Sequence, residues 1–172
     1  VADTVSLVNN YGKQIAKLNE QITTAESAVN QPANDLRDQR DQLIAELNKL
    51  VKVQTIPMGT SGIEVMVGKG QLLVMGNQSN EMSAIRSADD PSRIVVALDL
   101  GGGKQELPDG IITGGVLGGL LDFRSQSLDT AVNSLGKVAA NLALTFNAQH
   151  ANGMDLLGNS AGPGGVDSQG NS

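Results

Sequence analysis

GGVLGGLLDFRSQSLDTAVNSLGKVAANLALTFNAQH, residues 114–150, is the stretch whose reading decides the fold. Leu121, Leu128, Leu135 and Leu142 recur every seventh residue, with Val132, Ala139 and Phe146 following the last three by four. That narrow apolar stripe predicts one long helix, from about residue 116 to 149, packed lengthwise on other helices. Gly118, Gly119 and Gly136 each cost about 1 kcal/mol against alanine in a helix interior. Close backbone approach is the expected compensation.

Working outward, the N-terminal region carries the same signal. Val8, Tyr11, Ile15, Leu18 and Ile22 are spaced three and four residues apart, and the face extends back to Val1 and on to Val29, predicting a rod over residues 2–28. Gln31-Pro32 ends it, and Asn34 or Asp35 is placed to cap a second helix. Leu36, Leu43, Leu47 and Leu50 continue the stripe there, widened by Ile44 and Val51, with Arg37 and Asp41 one turn apart. So short a loop makes these two helices antiparallel neighbours.

Between residues 51 and 114 the apolar period changes to two. VKVQTI, IEVMV, QLLVM, EMSAI and RIVVALDL read as short strands separated by glycine-rich turns. The expected fold is therefore α+β: an elongated antiparallel bundle of three long helices, with a small antiparallel β-rich insert between helices two and three. The parts are a helical hairpin at 1–50, the insert at 51–114, the third helix at 115–152, and a Gly/Ser/Asn-rich tail at 153–172. Val1 opens inside a helical period and GNSAGPGGVDSQGNS closes the chain in loop composition, so a piece of a longer protein is expected.

Composition narrows the chemistry. With no Cys and a single His among 172 residues, thiol catalysis and cysteine-ligated metal sites are excluded. A formal charge of -6 with scattered basic residues disfavours nucleic acid and anionic lipid, and no apolar run is long enough to span a membrane. His150 lies near Asn147, Gln149 and Asn152, without a nucleophile or an orienting carboxylate, and reads as a last-turn residue before Gly153. Asp38 with Asp41, and Asp89 with Asp90, sit on a polar helix face and in a turn. GGGKQ and VGKGQ lack the phosphate-loop spacing and read as hairpin turns. The glycine-rich tail lacks the ligand alternation of a calcium loop. No catalytic, cofactor or metal site is expected.

Two stretches then carry a resemblance. NDLRDQRDQLIAELNKLVKV at 34–53 and residues 114–162 are similar to the central region of the flagellar hook-associated protein 1 family, the bacterial hook-filament junction proteins. The second follows the order GGxLGGLLxFR, LDxAxNxLG, FNxQHxxGxDLxG, with Phe123, Arg124, Asn147, Gln149 and His150 at signature positions. The resemblance implies a secreted structural part of the extracellular flagellum, needed for filament assembly and motility and carrying no enzymatic activity. Implied partners are a homo-oligomeric ring, hook protein on one side and the second junction protein on the other. An export chaperone is implied only through terminal helical segments that this chain lacks. Another axial protein, flagellin-like or hook-associated, is the alternative. An enzyme or receptor-type module would require a closed polar pocket in the strand-rich part.

Overall fold

The structure is a computed structural model and describes residues 1–29, 31–91 and 93–151. The chain divides into two compact units, Val1–Ser125 and Gln126–Ser172. In the first, helix α1 (Ala2–Val29) precedes α2 (Asn34–Leu50). Strands β1 (Val53–Met58), β2 (Gly62–Val67), β3 (Gln71–Met75) and β4 (Gln78–Ser79) follow, then β5 (Glu81–Arg86), β6 (Ile94–Asp99) and β7 (Lys104–Glu106). They form a four-stranded sheet in the order β1-β2-β3-β4 and a three-stranded sheet in the order β5-β6-β7, with every pairing antiparallel. Helix α3 (Gly115–Phe123) comes next, then a π-helical turn at Arg124–Leu128 and helix α4 (Asp129–Ala151).

The core explains the arrangement. Val5, Val8, Ile15 and Ala16 of α1 share one buried cluster with Leu47 of α2, Val65 and Val67 of β2, Leu73 and Val74 of β3, Val96 and Leu98 of β6, and Leu117 of α3. Each large side chain buried this way stabilises the fold by about 1.5–3 kcal/mol. Helix α1 lies across both sheets. Its Gly12 leaves room where they pass, since a Cβ there would stand 2.7 Å from Ser79 Oγ. Its Asn9 completes the β5 ladder, accepting from Met82 N–H at 2.8 Å and donating to Met82 C=O at 2.7 Å. β6 buries Val95, Val96, Ala97 and Leu98 in succession, as a strand covered on both faces must.

The expected bundle of three long helices with a small insert is therefore corrected. Seven strands in two sheets supply much of the core, and α1 buries its stripe on them as well as on α2. The reason is physical. Each strand run presents an apolar face, and the stripe of α1 packs against β2, β3, β4 and β5. The third helix also differs, because α3 is nine residues long and gives way to a π-helical turn. The leucine stripe beyond that turn is uncovered: Leu135 is 70% exposed, Leu142 68% and Phe146 67%.

The glycines of the GGxLGGLL stretch divide into two kinds. Gly115 has φ +61°, and a Cβ on it would stand 2.4 Å from the Leu50 carbonyl carbon; a Cβ on Gly118 would stand 2.7 Å from that of Thr113. Gly119 and Gly136 have nothing within 4 Å, so close approach accounts for the first two and not for these. Around Gly115 three distant segments meet. Lys52 N–H donates to Thr113 C=O at 3.0 Å, Gly68 N–H to Lys52 C=O at 2.8 Å, and Lys69 N–H to Ile111 C=O at 3.0 Å.

Candidate functional site

Leu128 at the end of the π-helical turn and Val132, Leu135, Leu142 and Phe146 of α4 form one stripe, every one of them exposed. Ala139 completes it, and at 1.5 Å per residue the stripe runs about 27 Å. Helices commonly bury seams of this spacing against other helices, which makes this exposed stripe the candidate interaction surface. The signature residues Asn147, Gln149 and His150 lie at the end of the same helix and are exposed. The His150 ring sits 6.4 Å from that of Phe146 and is tilted to it. Gly153, expected to terminate this helix, lies outside the described residues, as does the rest of 152–172.

The other signature pair divides its tasks. Phe123 is exposed, whereas Arg124 turns inward. Its guanidinium donates to Asp109 Oδ1 at 2.9 Å and to the Ile94 carbonyl, and Arg93 pairs with the other oxygen of Asp109. One carboxylate thus links the start of β6, the turn after Leu107 and the end of α3. The arrangement is a clasp.

A second polar cluster joins the helical hairpin to the sheet. Glu26 accepts from Arg37 Nε at 2.7 Å and Nη2 at 2.8 Å, from Ala33 N–H at 2.9 Å, and from the Ser61 hydroxyl. The Arg37 hydrogen bonds, with those of Ser61 and Ala33, hold its carboxyl at about 2, against an ordinary 4.5; the same contact raises Arg37. Arg37, one turn from Asp41 in the sequence, makes its ion pair back across the interhelical loop. Neither Asn34 nor Asp35 caps α2: Ala33 occupies that position without a side-chain cap, and Glu26 takes its N–H.

Beneath this carboxylate lies Arg40, only 6% exposed, donating to Asn19 Oδ1 at 3.0 Å and Ser61 C=O at 2.9 Å. Burial draws the Arg40 guanidinium below the ordinary arginine value. Asn19 Nδ2 in turn donates to the carbonyls of Ile63 at 2.9 Å and Gly76 at 2.8 Å. The network anchors two hairpin turns on the helices. Sequence reasoning missed it, although Asn19 and Glu26 each follow a buried isoleucine by four residues, so polar groups stand on a core-facing line.

The remaining seam positions divide by burial. Val8, Ile15, Leu18, Ile22 and Leu47 are buried, while Tyr11, Leu36, Leu43, Leu50 and Leu121 are half-buried. Among the described residues no group of three or more His, Asp or Glu side chains is placed to hold a metal, and no helix is long and apolar enough to cross a membrane. A groove of about 520 Å³ between α1 and the turns near Gly59 and Gly76 is open to solvent, and among its described lining residues Glu20 alone is titratable. A lone exposed carboxylate has no partner there for acid/base work.

What the described surface offers is packing, and comparison with known proteins identifies its setting. The model of the family described as flagellar hook-associated protein FlgK helical domain matches residues 1–164. The chain is 44% identical over 162 residues to flagellar hook-associated protein 1 of Salmonella typhimurium, spanning 92% of this chain and 29% of that protein. For the Escherichia coli K12 protein the identity is 42% over 161 residues, with the same coverage. The structure of the flagellar hook junction protein FlgK from Burkholderia pseudomallei superposes with a TM-score of 0.79 at 42% identity, over 94% of this chain and 29% of that one. The class is thus the hook-associated proteins of the bacterial flagellum. Within it, the chain belongs to the FlgK helical-domain family.

Proposed function

We propose that this chain is the helical-domain portion of a subunit that joins the flagellar hook to the filament, a structural role outside the cell with no catalytic step. The observation that carries the reading is the 44% identity over 162 residues to a hook-associated protein 1. Since this chain spans 29% of that relative, the activity belongs to the longer protein. There it forms a ring of like subunits, with hook protein on one side and the second junction protein on the other. Segments beyond this chain meet an export chaperone before secretion.

In this reading the stripe of α4 is an assembly face. Its leucines have helical spacing and no cover among the described residues, and a seam of that spacing is one that another helix covers. The Asp109 clasp and the Glu26 network are the internal fastenings that keep the first unit one body while that face is engaged.

Immunogold electron microscopy of flagellated source cells, with antibody raised against the purified chain, tests the proposal. The expected result is gold at one point per flagellum, between hook and filament. Label along the whole filament overturns the junction reading in favour of another axial protein, and label confined to the cell interior overturns the flagellar reading itself.

A further inference from the structure

Strand β1, VQTIPM, is an uncharged edge strand with Ile56 and Met58 exposed. Exposed edges of this kind recruit strands from other copies unless something prevents it. Its hydrogen-bonding phase follows from two observations. Val53 lies opposite Val67, and Gly68 N–H donates to the Lys52 carbonyl at 2.8 Å. In an antiparallel pair, bonded and non-bonded positions alternate. Val53, Thr55 and Pro57 therefore occupy non-bonded positions opposite Val67, Val65 and Ile63, and their backbone groups point away from β2.

Of those three residues, Pro57 has no N–H to offer. The N–H of Val53 is already donated, at 2.9 Å, to the side-chain oxygen of Asn48 at the end of α2. Only Thr55 retains an outward N–H for an incoming strand. We infer that Asn48 and Pro57 together close the β1 edge, so that copies of this chain do not associate by adding a strand to β1. The inference goes beyond the junction role and does not depend on it. Asn9 acts comparably on the second sheet, where its amide occupies both backbone groups of Met82 on β5. In each sheet a helical asparagine stands in for the next strand.

The test reopens the edge in the full 172-residue chain. Pro57→Thr restores one outward N–H and Asn48→Ala frees another. Because α4 offers a separate route to association, the readout is amide hydrogen exchange at Thr55, compared between dilute and concentrated samples whose far-UV circular dichroism is native. In the double variant, Thr55 exchange should slow about tenfold on concentration, and in the parent chain it should not change. Adding Ile56→Lys to the double variant should abolish the slowing, since like charges on paired copies repel. Concentration-independent exchange in the folded double variant overturns the inference, as does slowing that survives Ile56→Lys. If the double variant does not fold, Pro57→Thr alone carries the test, with an expected slowing of about threefold. Its absence is equally decisive.

Discussion

Replacing Gly115 with alanine should be among the most damaging single-methyl changes in the first unit. Two effects add. The residue has φ +61°, where an L-residue costs about 1–2 kcal/mol. The new Cβ would also lie 2.4 Å from Leu50 C and 2.5 Å from Val51 N, and these are backbone atoms that no rotamer change can move. Forcing a methyl into such a contact costs about 1–3 kcal/mol, for a sum of about 2–5 kcal/mol.

At about 4 °C per kcal/mol for a unit of this size, Tm falls by about 8–20 °C. Gly119→Ala is the control, one turn along the same motif. Nothing lies within 4 Å of its Cβ position, and alanine there should stabilise the helix by up to about 1 kcal/mol. Urea denaturation followed by tyrosine fluorescence isolates the relevant unit, because Tyr11 is the only tyrosine and there is no tryptophan. An unchanged m-value with shifted midpoints confirms that stability alone has moved. If Gly115→Ala unfolds within about 0.5 kcal/mol of the parent, the three-segment meeting point around it is wrongly described.

Four other outcomes are expected. Leu47→Ala should cost about 2–5 kcal/mol, since its side chain is fully buried; Leu135→Ala should change the stability of this chain by less than about 0.5 kcal/mol, and a large loss in urea titrations would mean α4 is covered after all. For Glu26, the carboxyl is at about 2 in the fold against an ordinary 4.5. The unfolded chain binds the extra proton between those values, so the contribution is complete above about 4.5 and is lost as pH falls toward 2. Glu26→Gln should remove this component of the acid dependence, measured as denaturation midpoint against pH, and parallel profiles would count against the network. His150→Ala should lower stability by less than about 2 kcal/mol, the upper range for a charge at a helix end, and leave motility intact in swimming assays of the full-length protein. A folded but non-motile variant would give that histidine a role that helix termination does not explain.

Helix α1 and the strand runs are legible in the residues because burial repeats at 3.6 or 2 along the chain. What covers each stripe is not. Leu18 and Leu135 stand in stripes of the same spacing, yet one is 8% exposed and the other 70%; the pattern records amphipathicity and is silent about the partner. For the same reason a run of period-two segments reads equally well as a peripheral insert or as half of a core. Long-range polar contacts fare worse. Arg37 has an acid one turn away and another eleven residues back, and only the fold brings Glu26 and the Thr60 carbonyl to it. The glycine-rich signature showed that something passes close by, but nothing in it named Leu50 and Thr113 as the neighbours, or distinguished Gly118 from Gly119.

The meeting of residues 50–52, 68–69 and 111–115 also bears on how the chain acquires its structure. Those backbone bonds join positions up to about sixty residues apart, and Leu117 enters the same core as Val5. Such non-local contacts must bear loop-closure entropy before any burial rewards it, which slows folding relative to a simple helical bundle. A nascent length that stops short of about residue 94 leaves the α1 stripe without Val96, Leu98 and Leu117 to cover it. The arrival of Leu117 completes that core, so it closes only when nearly all of the first unit is present.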